Sequence, residues 1–226
     1  LGAALLEGLQ RAKDSDEFLS DGRVIATAKH FFGDGGTTQG IDTGDVNGDL
    51  KELKKIHAVP YPVAIDTGAQ VVMASFNSIN GKKMHGNEAL LTGVLRGEMG
   101  FDGLVVGDWN GHGQVKGCSN ESCSQAINAG LDIFMVPTDA WKPLYENTIA
   151  QVKMGEIAES RIDDAVRRIL RVKFRANLFD KPSPINRALS GKTHLIGATE
   201  HRDVAKQAVR ESLVLLKNKF LICWYT

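Results

Sequence analysis

The chain has 226 residues, room for one large domain or two small ones, and its 42% hydrophobic and 24% charged composition is that of an ordinary globular protein. Lys plus Arg and Asp plus Glu balance at 27 each, which excludes a basic field for nucleic acid and a polybasic patch for a membrane surface. No apolar run approaches the ~18 residues that a membrane span needs.

The opening segment, LGAALLEGLQRAK, lacks an initiator Met and already has helical periodicity. No signal peptide is visible, and the sequence is expected to start inside a longer polypeptide. The first strand-like run is Val24 to Ala28, ending in Lys29-His30-Phe31 and followed by the glycine-rich Gly33-Asp34-Gly35-Gly36. The acidic stretch from Asp42 to Asp49 lacks the D-x-[DN]-x-[DN]-G spacing of a calcium loop and reads as solvated. Leu50 to Ala69 is helix-like, with Pro60 and Pro62 predicted to break or kink it. Val71 to Phe76 is the second strand, and Asn87 to Met99 a helix with Asn87 as N-cap. The third strand is Gly103 to Gly107, ending in Asp108-Trp109.

Cys118 and Cys123 follow in GCSNESC, spaced too widely for a CxxC site. They form either a small disulfide-closed loop, which would fit a periplasmic or secreted protein, or two reduced thiols. Asn120-Glu121-Ser122 matches a glycosylation sequon that is short enough to occur by chance. A short helix, Ser124 to Ala129, leads to the fourth strand, Leu131 to Val136, and then a helix from Leu144 to Met154. Ser160-Arg161-Ile162-Asp163 reads as a capping signature for a helix with Ile162, Val166, Ile169 and Leu170 on its apolar stripe. Pro182 and Pro184 mark a loop before a final helix, Glu200 to Lys217, with Val204, Ala208, Val209 and Leu213 on one face. Residues 219–226 are apolar and unpatterned, readable as a core strand or as an artefact of truncation.

Short buried-type strands alternating with helices predict an α/β fold with parallel strands. A closed (β/α) barrel and a doubly wound sheet both fit that pattern. In either, ligands bind at the carboxyl ends of the strands, where Lys29, His30, Ser75, Asn77, Asp108, Trp109 and Met135 are expected to gather. Asp108 is the sharpest of these. It follows a buried strand directly, Gly107 allows close approach, and Trp109 offers an apolar face to the C–H groups of a sugar ring. The blander role for a strand-end Asp is a helix cap or a structural hydrogen bond. Lys29 and His30 are hydrogen-bond donors, and both reach one ligand only if the strand ends there. The glycine-rich loop lacks the GxxxxGK[ST] pattern of a phosphate loop, and His57, His85 and His112 have no metal-ligand spacing. No cofactor or metal is expected.

At these residues the sequence resembles glycoside hydrolase family 3. Ala28-Lys29-His30-Phe31 with Gly33-Asp34-Gly35 is similar to that family's KHF-x-GDG segment, and Met73 to Gly81 followed by Lys83-Met84-His85 to its MxSxSxxNGxKMH stretch. Gly103 to Trp109 resembles its nucleophile motif. Ala129-Gly130-Leu131-Asp132 with Met135-Val136-Pro137, Ser160 to Val166, and Ser212 to Asn218 resemble its next strand, its following helix and the start of its linker. The resemblance implies a partial (β/α)8 TIM-like barrel over residues 1–178, then a helix and the start of an interdomain linker over residues 179–226. It implies a retaining β-glucosidase or exo-β-glucanase that releases glucose from the non-reducing end of β-linked gluco-oligosaccharides. Asp108 matches the nucleophile, Lys29 and His30 match sugar-hydroxyl contacts, and Trp109 matches the aromatic beside the nucleophile.

A retaining enzyme needs a second carboxylate as acid/base. In the family it comes from a second domain after the linker. The partner implied for this chain is that further domain of the same polypeptide, and the chain alone is expected to lack activity. Phe76 stands where close relatives often carry Tyr, removing one hydroxyl near the site. The family's β-N-acetylhexosaminidase branch carries KHF-PGHG, and Phe32-Gly33-Asp34 here argues against it. A non-catalytic sugar-binding fragment is the remaining reading.

Overall fold

The computed structural model describes residues 2–217. In chain order the strands are β1 (Thr27–Phe31), β2 (Asp45–Val46), β3 (Val71–Ala74), β4 (Ser78–Ile79), β5 (Lys82–Lys83), β6 (Leu104–Trp109) and β7 (Ile133–Met135). β1, β3, β6 and β7 form an all-parallel sheet in that order. A doubly wound sheet reverses its strand order at a switch point, whereas a barrel adds each strand to the same edge. The order here follows the chain without reversal, and the sheet is a partial (β/α) barrel. β2, β4 and β5 make a small second sheet, with β2 parallel to β4 and β4 antiparallel to β5.

The strand limits shift from those predicted, for local reasons. β1 starts at Thr27 because Val24 and Ala26 are already engaged with the first helix, α1 (Gly2–Gln10): the Val24 N–H donates to Leu9 O and the Ala26 N–H to Gln10 Oε1. β6 continues through Asp108 and Trp109, and the Asn110 N–H still reaches Met135 O beyond it. β7 is cut to three residues, since the Leu131 N–H closes the preceding helix on Ala126 O.

The stretch from Leu50 to Thr67 runs on as α2 (Leu50–Leu53), a wider π-type segment (Lys54–Ala58) and α3 (Pro60–Thr67). Asp49 caps α2 by accepting from the Lys51 and Glu52 N–H groups. Pro60 opens α3, a position where a missing N–H costs nothing, so the prolines begin a helix here rather than end one. Ala89–Glu98 is again π-type, and Asn87 supports it with its carbonyl, which accepts from Leu90 and Leu91, not with its side chain. α4 (Ser124–Ala129), α5 (Trp141–Lys153) and α6 (Glu159–Arg175) follow. Ser160 lies inside α6 and makes no cap hydrogen bond. Ala165 and Val172 are the buried apolar residues of α6, while Val166 and Leu170 stay partly exposed. Arginines tie the helix to the sheet instead: Arg161 of α6 and Arg96 of the Ala89–Glu98 segment both pair with Asp132, whose side chain is fully buried.

The core under the sheet is built from Phe31, Phe32, Val72, Ala74, Met84, Leu91, Leu95 and Val105, all buried. Cys118 and Cys123 are joined in a disulfide. Among the described residues no helix is long and apolar enough to cross a membrane.

The described chain divides after Lys181 into two units. The second holds two short 3-10 turns and α7 (Thr199–Ser212). α7 ends five residues earlier than predicted, and Val204, Ala208, Val209 and Leu213 are exposed. Residues 219–226, read above as a strand or an artefact, lie outside the described residues.

Candidate active site

Both register shifts of the parallel sheet fall near the carboxyl ends of its strands: one between Ala28 and Phe31 of β1, the other between Val106 and Trp109 of β6. Such irregularities re-aim side chains. His30 lies in the first and Asp108 in the second, and their side chains meet, with His30 Nε2 3.5 Å from Asp108 Oδ2. The other oxygen, Oδ1, accepts a 2.7 Å hydrogen bond from the Trp109 N–H. The Asp108 carboxylate is mostly buried, 14% exposed, so one oxygen is tied to the backbone and the other faces the imidazole.

His30 is itself oriented from behind. Its Nδ1 lies 3.0 Å from Asp34 Oδ2, and the Ser75 hydroxyl donates to Asp34 Oδ1 at 3.4 Å. Asp34 can reach back to His30 because Gly33 turns the chain in the left-handed region, φ 92°, with Ile79 and Asn77 packed where a Cβ would sit. Ser75, Asp34, His30 and Asp108 form one polar chain across three strand ends.

Beneath Asp108 lies His85, 1% exposed. The Asp108 N–H donates to His85 Nε2 at 2.9 Å. Accepting there puts the proton of the neutral ring on Nδ1, and the Ser75 backbone is a further hydrogen-bond partner of the ring. Burial, with His112 and Lys83 nearby, pushes the imidazole down to about 4, against the opposing pull of the Ser75 backbone. Phe76 packs on this ring, centroids 6.0 Å apart. The Lys83 ammonium holds the Phe76 loop by donating to Phe76 O at 3.0 Å and to Thr43 O at 2.8 Å.

Of the residues singled out from sequence, Asp108 and His30 are in direct contact. Trp109 follows Asp108 with 63% of its surface exposed, and it is paired in the ladder with the half-buried Met135. Phe76 packs on His85, which in turn accepts from the Asp108 N–H. Lys29 is exposed and lines a separate, largely apolar cavity of about 800 Å³ beside Leu6, Tyr61 and Val63; no hydrogen bond or ion pair joins it to Asp108 among the described residues. Asn77 is buried and donates to Phe32 O and Ser78 O, a loop-bracing role. Asp34 and His85 are the residues that sequence reasoning misses as parts of the site. Both fall inside stretches that resemble family motifs, Asp34 in KHF-x-GDG and His85 in the Lys-Met-His run, and that is the available signal for each, although neither motif assigns the residue a partner.

The carboxylates of the Asp42–Asp49 stretch serve the backbone. Asp49 caps α2, and Asp45 accepts from the Gly81 N–H at 2.9 Å. Burial would raise the Asp45 carboxyl, but hydrogen bonds from Ser78 and Gly81 outweigh it and hold the group below the ordinary carboxylate value. Among the described residues no group of three or more His, Cys, Asp or Glu side chains is placed to hold a metal ion.

Comparison with known proteins gives this geometry a family. The sequence is 34% identical over 227 residues to a lysosomal beta glucosidase of Dictyostelium discoideum, covering 97% of this chain and 27% of that protein. It is 29% identical over 229 residues to a periplasmic beta-glucosidase of Salmonella typhimurium, covering 97% of this chain and 28% of that protein. Among solved structures, an exo-1,3/1,4-beta-glucanase from a Pseudoalteromonas species superposes with a TM-score of 0.92 at 52% identity, over 96% of this chain and 27% of the other. A beta-glucosidase from Listeria innocua in complex with glucose superposes with a TM-score of 0.83 at 31% identity, over 98% of this chain and 30% of the other. The chain thus spans about a third or less of the length of these relatives. Residues 1–172 match the family described as Glycosyl hydrolase family 3 N terminal domain, and the chain belongs to that family.

Proposed function

We propose that this chain carries the nucleophile of a retaining β-glucosidase or exo-β-glucanase. Asp108 attacks the anomeric carbon of a non-reducing-end glucose, the aglycone leaves, and water then hydrolyses the covalent glycosyl-enzyme. The observation that carries this reading is the setting of Asp108. It is the carboxylate at the open end of β6, with one oxygen anchored by the Trp109 N–H and the other turned towards His30. An attacking carboxylate benefits from being held in one orientation, since alignment with the reacting carbon is where much of the rate comes from.

The remaining roles are proposed from the family resemblance, with the geometry of His30 in support. His30, oriented by Asp34, donates to a hydroxyl of the bound glucose; Lys29 is proposed for a second hydroxyl on its motif alone, since it lines a different cavity. Trp109, Phe76 and Met135 are apolar walls for the ring. Asp34 is engaged by His30 and Ser75. The acid/base carboxylate that a retaining enzyme needs is proposed, as the family resemblance implies, to come from a second domain of the same polypeptide. A periplasmic or secreted location is proposed from the Cys118–Cys123 disulfide, which persists in oxidising compartments.

The test is covalent trapping of the full-length gene product with a 2-deoxy-2-fluoro-β-glucoside, followed by peptide mapping. Label is expected on the peptide containing Asp108, and Asp108→Asn should lower kcat by about 10⁴-fold or more. Label on another carboxylate, or an active Asp108→Asn enzyme, would refute the assignment. Parallel assays on aryl β-glucoside, β-xyloside and N-acetyl-β-glucosaminide should show preference for the glucoside; preference for the N-acetylated sugar would move the protein to the family's hexosaminidase branch.

A further inference from the structure

We propose that His85 is a positioning residue for the nucleophile: its imidazole replaces the missing backbone ladder between the ends of β3 and β6 and so sets where Asp108 stands. The proposal rests on the reading of Asp108 as nucleophile.

The ladder between β3 and β6 pairs Val71 with Leu104, Val72 with Val105 and Met73 with Val106, and then stops. Continued in that register, the strands would bring Ser75 opposite Asp108. The phase set by the Leu104 N–H on Gln70 O would then send the Asp108 N–H to Ala74 O, but it goes to His85 Nε2 instead, while the Ser75 N–H continues the ladder to β1 on Phe31 O. A buried backbone N–H needs a partner. His85 is inserted into the gap, with the Ser75 backbone on one side of the ring and the Asp108 N–H on Nε2. The chain beyond Val106 is therefore released from the straight ladder and re-fixed by a side chain at the residue that bears the attacking carboxylate.

The surroundings are shaped to that ring. A Cβ on Gly107 would lie 3.3 Å from His85 Cδ2, and one on Gly111 would overlap the imidazole. Phe76 covers a face of the ring. Two glycines flanking Asp108 thus leave the volume that the imidazole occupies, and they bring it directly beneath the nucleophile's backbone.

Two substitutions separate the contacts. Gln at this position can place its amide oxygen where Nε2 now accepts from Asp108, whereas the shorter Asn can keep the contact to Ser75 but cannot reach Asp108. In the full-length gene product, His85→Asn is expected to lower kcat by about 100-fold with little change in KM, the cost of a nucleophile misplaced by about 1 Å, and His85→Gln to recover about tenfold of that loss. The rate of trapping by the 2-fluoro glucoside should fall in step. Gly111→Ala, which pushes the ring without changing its chemistry, should act like His85→Asn and keeps the test open if either His85 variant does not fold. Rates are compared per mole of folded enzyme. Equal kcat in His85→Asn and wild type, or equal loss in His85→Asn and His85→Gln, overturns the positioning role while an inactive Asp108→Asn leaves the nucleophile in place. An active Asp108→Asn enzyme overturns the nucleophile assignment instead.

Discussion

A buried neutral histidine under a carboxylate has a pH signature. The folded-state value of His85, about 4, lies below the ordinary 6.5 that the unfolded chain recovers. Between these values the unfolded chain binds a proton that the folded chain refuses, so stability falls as pH drops below 6.5 and levels off near 4. Lys83 on the β5 hairpin and His112 on the loop after β6 act in the same direction on the ring, and the Ser75 backbone opposes them. His112 is also lowered by burial, against its hydrogen bond with the Asn120 backbone, and adds to the same acid-side loss. Urea unfolding at about pH 7.5 and about pH 5 should show a lower unfolding free energy at the acid value, with a smaller drop in His85→Gln. An equal drop in both proteins would remove His85 as a source. At this scale Asp108 was legible because the residue after a buried run faces the strand-end crevice whatever its neighbours are. Asp34 and His85 were not, because their roles come from contacts across the sheet, to Ser75 after β3 and to Asp108 on β6.

The loop after β6 shows what a single element needs. It leaves the strand through Asn110 in the left-handed region, φ 51°, and closes with the Cys118–Cys123 disulfide. His112 Nε2 lies 2.9 Å from Asn120 O, and Gly113 leaves room for the Asn120 side chain. Opening so short a ring by the double variant Cys118→Ser/Cys123→Ser is expected to cost about 2 kcal/mol, mostly through a freer unfolded chain. The difference between oxidised wild type and double variant in urea unfolding measures it, and no difference would mean that the His112 contact alone closes the loop. Element type was readable throughout from β-branched runs and helical spacing. Element ends were not, because they were settled by competing partners: Leu9 O for Val24, Ala126 O for Leu131, and a Pro60 that starts a helix where an interior proline would break one.

Across the larger unit, α6 is held to the sheet by charge as much as by apolar packing. Asp132 accepts from Arg96 and Arg161 and also from the Val105 N–H, while Asp164 collects Arg96, Arg161 and Arg168. Removing one member of a buried set leaves the others uncompensated, which costs about 3–5 kcal/mol, whereas an exposed helical pair is worth less than about 1. Asp132→Asn should therefore lower the unfolding free energy by about 3 kcal/mol, and Arg167→Ala, whose pair with Asp163 is exposed, should change it little. Similar effects of the two variants in urea unfolding would mean that the Asp132 cluster is solvated. By itself the sequence determined the α/β class, and it placed Asp108 at the carboxyl end of a buried strand, since both follow from local periodicity and from where apolar runs stop; the nucleophile role proposed for Asp108 came from the motif it resembles. Only the tertiary structure decided that the strands add in one direction as in a barrel, that His30 meets Asp108, that Lys29 lines another cavity, and that a histidine from the turn after β5 accepts from the Asp108 N–H beneath it. Each of these depends on register and on pairings between residues far apart in the chain, and side-chain type alone does not encode them.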